Sequence, residues 1–323
     1  MWDFSVRGAF GLLRRTAPFL VFRIGVYVGI GAAYLLATGA GAALGRALGG
    51  LGGADFRDGA TVWGGVAGFA VTAGLLYLLR GYILYLVKAG HVAVMVEVLE
   101  GQAPPPDQVA FARKAVSARF GEASVLFALD QLVKGVAQGI TGLVQGVLSA
   151  FPVPGARNAA SVLRAYLRVA VGLVDEVILA HALRVGADNP WAAGREALVL
   201  YAQNARPMLV NAAWLAAIVH GLTLVLFLVL LAPAVTLAGM LPGPWAAGGV
   251  AAALLLAWAL KAALFEPFAI ACLLQVFFGL TRHQEPNPNW TAKLETVSDR
   301  FRTMGRRAAD WPAPTADAPD GPA

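Results

Sequence analysis

The chain has 323 residues, of which 58% are hydrophobic and only 14% charged, with a formal net charge of +6. A soluble globular domain carries about 25% charged residues, so this composition excludes an ordinary soluble enzyme. The basic excess flanks apolar blocks on alternate sides and reads as membrane topology, not as a nucleic-acid surface.

The first segment, Trp2–Arg15, is short and amphipathic, and residues 1–18 read as an N-terminal interfacial helix. Six blocks then reach the roughly 20 apolar residues that a bilayer core requires. They are Phe19–Ala43, Thr61–Val87, Phe120–Ala150, Ala159–Leu183, Met208–Ala232 and Trp245–Leu264, within a membrane domain at 19–286. The first is longer than a signal-peptide core and contains Arg23, so it reads as an uncleaved span. The helical pattern runs on from Thr61 to Glu100 and from Trp245 to Arg282, with Gly81, Gly90 and Pro267 as bend points.

Amphipathic segments at Trp2–Arg15, Gln108–Arg119 and Trp191–Arg206 each precede an outward span. The expected unit is an interfacial helix plus a hairpin, repeated about every 90 residues. Pro190 suits the first turn of the third segment, with Asn189 as its cap. The fold class predicted is therefore all-α: a polytopic bundle of six transmembrane helices arranged as three hairpins. Residues 287–310, including Trp290–Arg307, read as one basic amphipathic helix on anionic lipid, and 311–323 as a disordered tail.

With the N-terminus inside, sixteen Lys and Arg lie in cytoplasmic segments and only Arg46, Arg57 and Arg157 in outer loops. That places both termini in the cytoplasm, across a bacterial-type cytoplasmic membrane. No nucleotide-binding loop, nucleophile elbow or metal-spaced Cys/His cluster is present, so neither enzyme activity nor a cofactor is expected. His91, His181, His220 and His283 are scattered and read as hydrogen-bonded helix residues. Cys272 reads as a small buried hydrophobe.

Charges inside spans carry the functional signal, because each is costly unless paired or hydrated. In the third span Gln131, Lys134, Gln138, Thr141 and Gln145 form one stripe, with Asp130 at its edge. Beside it run Gly135, Gly139, Gly142 and Gly146, spaced for close helix approach. This is either a helix lining a polar path or a closed helix–helix seam. In the fourth span Arg164, Arg168 and Asp175 share a face, with Glu176 beside it, and Arg164 and Arg168 read as structural ion-pair partners. Aligning the hairpins brings Lys88, Asp175 and Glu266 to one level near the cytoplasmic side, as a structural ion-pair knot or as a cation site or gate. Arg23 and Arg80 are expected to snorkel toward headgroups, and Lys261 to reach the interface.

Several segments resemble the membrane core of the choline transporter-like family. These are Val87-Lys88 before His91-Val92-Ala93-Val94, Pro104-Pro105-Pro106, Ser117-Ala118-Arg119-Phe120-Gly121, Gly186 through Ala192-Ala193 and Leu198, and Glu266-Pro267-Phe268 through Asn287-Pro288. The likeness spans about Thr61–Trp290. Val185 stands where the family has tyrosine and Ala192 where it has serine, and the family's large first outer loop is replaced by Gly49–Gly59. The resemblance implies a transporter-like core for a small organic cation such as choline. In a transporter or facilitator, Asp130, Asp175, Glu176 and Glu266 are the candidate cation-attracting groups and the third span's polar stripe is the path. The competing expectation is a non-transporting scaffold or assembly factor that binds partners through its glycine-rich helix face. The sequence carries no signal for oligomeric state.

Overall fold

The computed structural model describes residues 2–120, 128–129, 131–133, 135–136, 175–186, 188–240 and 246–312. Outside the described residues lie Asp130, Lys134, Gln138, Gly139, Gly142, Gly146, Arg164 and Arg168, and the side chain of Asp175. Most of the third and fourth predicted spans falls there too, as do residues 313–323 of the predicted disordered tail.

The described residues are helical, with no strand among them. The helices are α1 (Val6–Arg15), α2 (Ala17–Gly49), α3 (Ala54–Leu99), α4 (Gln108–Phe120), α5 (Asp175–Val185), α6 (Pro190–Gln203), α7 (Ala205–Gly239), α8 (Ala246–Leu260), α9 (Glu266–Thr281), α10 (Pro288–Val297) and α11 (Asp299–Ala309). A single π-helical turn, Lys261–Phe265, joins α8 to α9. Among the described residues, four stretches are long and apolar enough to cross a membrane: Ala17–Gly49, Ala54–Tyr77, Ala205–Leu237 and Gly249–Thr281. The chain is a helical integral membrane protein. At 46 residues, α3 is about 69 Å long, more than twice the thickness of a bilayer core.

Local chemistry sets the helix ends. Ser5 caps α1 by accepting from the Gly8 amide, and Asp107 accepts from the Val109 and Ala110 amides at the start of α4. Asn189 accepts from the Trp191 and Ala192 amides while Pro190 occupies the first turn of α6. Gly101 and Gly186 follow α3 and α5 at φ +87° and +68°, where a side chain is strained.

The molecule has two differently built regions. The outer halves of α2 and α3 form a thin hairpin whose surface is studded with exposed Leu36, Leu44, Leu48, Trp63, Val71 and Leu75. Their seam is glycine against glycine: a methyl group added at Gly41, Gly45, Gly64 or Gly68 would overlap the facing helix's backbone carbonyl. At the basal end, the last turns of α3, all of α5 and α6, the first half of α7, and α9 enclose one apolar core. α1 adds Ala9, Leu12 and Leu13 to that core, and its N-terminal approach is tied to α7 by Asp3 and Asn211.

The basic tail departs from expectation. It is two helices, broken at Ser298, which leaves helical geometry and caps α11 by accepting from the Phe301 amide. Its apolar face is turned into the protein, with Leu294, Phe301 and Met304 buried against the basal core. Arg195 pairs with Glu295 and stacks over Phe301, and Arg307 stacks over Trp191. Asn189 donates to the Ala308 carbonyl and Trp311 to that of Asp188. An amphipathic period marks an apolar face without saying what covers it, and here α6 does.

Candidate functional site, a charge cluster between the helices

Where the hairpins meet the basal core, α2, α3, α5 and the α8–α9 junction each contribute a charged side chain to one cluster. Glu266 is its centre. Its Oε2 lies 3.5 Å from Arg23 and 3.6 Å from Lys88, and its Oε1 lies 3.4 Å from Lys261. Lys88 also meets Glu176 Oε1 at 3.1 Å. Only this last contact is at ordinary hydrogen-bond distance. The three contacts to Glu266 are looser ion pairs.

The π-turn explains why Arg23 is there. The Glu266 amide donates to the Lys261 carbonyl, one residue further back than in an α-helix, and so no longer reaches Ala262. The next amide that could serve Ala262 in π register belongs to residue 267, and Pro267 has no N–H. The orphaned Ala262 carbonyl instead accepts from both Nε (3.0 Å) and Nη2 (2.8 Å) of Arg23. Arg23 is fully buried, with Tyr27 5.4 Å from its guanidinium carbon. Its Nη1 has no hydrogen-bond partner among the described residues. The expectation that Arg23 snorkels is therefore corrected: an unsatisfied carbonyl and a carboxylate hold it inside. Lys261, expected at the interface, is likewise turned toward Glu266. The signal for both lay in Lys261, Glu266 and Pro267, whose spacing marks a break in the α ladder, but sequence period alone does not name the group that fills the break.

The structure thus brings together Lys88, Glu176 and Glu266 from the predicted set and adds Arg23 and Lys261. Gly135 is the described member of the third-span glycine stripe, and it faces the tail: a methyl group there would occupy the space of the Arg300 guanidinium.

One turn below the cluster, buried His91 closes the α1–α2 joint. Its Nε2 is 3.1 Å from Thr16 Oγ1, and its ring stacks on Phe19 at 5.1 Å. Gln108 bridges the same joint, accepting from the Phe19 amide and donating to the Arg15 carbonyl. Burial, reinforced by the Arg23 charge, holds the His91 imidazole well below its ordinary pKa, so it is neutral. His181 meets Glu196 (3.2 Å) and His220 the Ala216 carbonyl (2.7 Å). No group of three metal-binding side chains occurs among the described residues.

No protein-family model, curated protein or solved structure matches the chain. The cluster's chemistry must therefore be read from its own atoms. Three cations face two carboxylates among the described residues. Both carboxylates are engaged by the protein's own cations.

Proposed function

We propose that the chain is a transporter or facilitator for a small polar solute, with the Lys88–Glu176–Glu266–Lys261 cluster as its inner gate. The observation that carries this reading is the position of Glu266, held loosely by three cations at a proline-linked break in a membrane helix. Discontinuous membrane helices with exposed carbonyls are where transporters place ion and substrate sites, and π-turns concentrate at functional sites. A cationic solute competes with Lys88 and Lys261 for Glu266, opening the inner end as it binds. The resemblance to the choline transporter-like family supports a small organic cation as the solute class. In this reading six spans cross a bacterial-type cytoplasmic membrane with both termini inside, and the third span's polar stripe, including Asp130, Lys134 and Gln138, lines the path.

The scaffold alternative draws on the glycine face of the third span. The contact of Gly135 with Arg300 counts against it, because that part of the face is already covered from within the chain.

Purified protein in liposomes is expected to accelerate uptake of an organic cation, and Glu266→Gln to abolish that uptake while remaining monodisperse. Absence of flux across a panel of organic cations, amino acids and polyols, with folded wild-type protein, overturns the proposal.

A further inference from the structure

A recess of about 350 Å³ lies between α3, α4 and α5. Its floor is apolar, built from Val96, Phe111, Ala115 and Leu183, while Glu97 and Lys114 stand on its wall. Lys114 also borders a second recess of about 370 Å³, whose remaining lining includes Arg113 and Ser117. Neighbouring Glu100 and Arg184 are joined to each other at 2.8 Å. Glu97 and Lys114 form no ion pair among the described residues, and Arg113 and Lys114 are exposed. Glu97 and Lys114 thus line one apolar recess without neutralising each other, and Lys114 and Arg113 line the second.

The level of α4 identifies what reaches this recess. Gln108 and Ala112 of α4 abut Phe19, in the first turn of the apolar α2, so α4 lies at the depth where the first span enters the bilayer. A ligand arriving there from the membrane carries an acyl chain and a headgroup. The apolar floor accepts the chain, Lys114 accepts a phosphate, and Glu97 is left to accept an ammonium. We infer that this recess seats a phospholipid whose headgroup pairs a phosphate with a primary ammonium.

The test uses the full chain in detergent, with unfolding temperature read against added lipid. Phosphatidylethanolamine is expected to raise the midpoint more than phosphatidylglycerol, which lacks the ammonium, or phosphatidylcholine, whose methylated nitrogen donates no hydrogen bond. Soluble phosphoethanolamine at equal concentration is expected to give no shift. Glu97→Gln and Lys114→Gln, both away from the core, are each expected to weaken the lipid's effect on the order of tenfold, the worth of one charge-assisted contact. Ala115→Trp is expected to abolish it by filling the floor. Equal shifts from all three lipids, a full shift from the soluble headgroup, or variants indistinguishable from wild type overturn the inference.

Discussion

The outer halves of α2 and α3 meet backbone to backbone, whereas the basal ends of α3, α5, α6 and α9 meet side chain to side chain. In lipid, two helices gain nothing from hiding apolar surface, so the hairpin is held by the close approach that glycine permits. The base buries polar and charged groups along with its aliphatic core, and each such group must find a partner. The charge cluster lies at the boundary between these two regimes. It is deep enough to be insulated and close enough to the base for four elements to reach it.

That contrast can be broken in graded steps. The largest effect is expected from Glu266→Ala, which leaves fully buried Arg23 without its carboxylate; loss of about 3–5 kcal/mol is expected, read by unfolding in mixed micelles. Next comes Gly64→Leu, which drives a side chain into the Gly41 carbonyl and should cost about 3 kcal/mol. Its control, Gly39→Leu, meets nothing within 4 Å and should be neutral or slightly stabilising by the same measurement. In the base, Asn189→Ala removes the α6 cap and a bond to the tail, at a cost of about 1 kcal/mol, with α11 becoming the faster site of proteolysis.

The smallest effect is a pH slope. His91 stays neutral when folded but binds a proton when unfolded below its ordinary value of 6.5. The unfolded state therefore takes up more protons, and stability should fall as pH drops through 6.5. His91→Gln should flatten that part of the profile, and an unchanged slope would show that the α1–α2 joint does not sense pH.

Local signals were the legible part of this fold. Asn189 and Pro190 announced the start of α6, and the apolar blocks announced the helices, because capping and hydropathy act over a few residues. The glycine seam of α2 and α3 was not singled out, although Gly41 and Gly45, and Gly64 and Gly68, recur at four-residue spacing. The third-span stripe is spaced by threes and fours, and nothing in that spacing tells that its described member, Gly135, meets an arginine. The charge cluster was legible only in part. Lys88, Asp175 and Glu266 were placed at one level by aligning hairpins, with Glu176 on the neighbouring face. The side chain described at Lys88 is that of Glu176. The Asp175 side chain lies outside the described residues. Arg23 was misplaced because its partner is a backbone carbonyl, freed by a proline 244 positions later in the chain.

The most direct test of the gate is accessibility at Lys88. In a Cys272→Ser background, which removes the chain's one cysteine, Lys88→Cys is placed in liposomes of known orientation and exposed to a membrane-impermeant maleimide. The account predicts labelling from the cytoplasmic side alone, at a rate that changes when a transported solute is added. No labelling from either side, or labelling from the outer side alone, would contradict it.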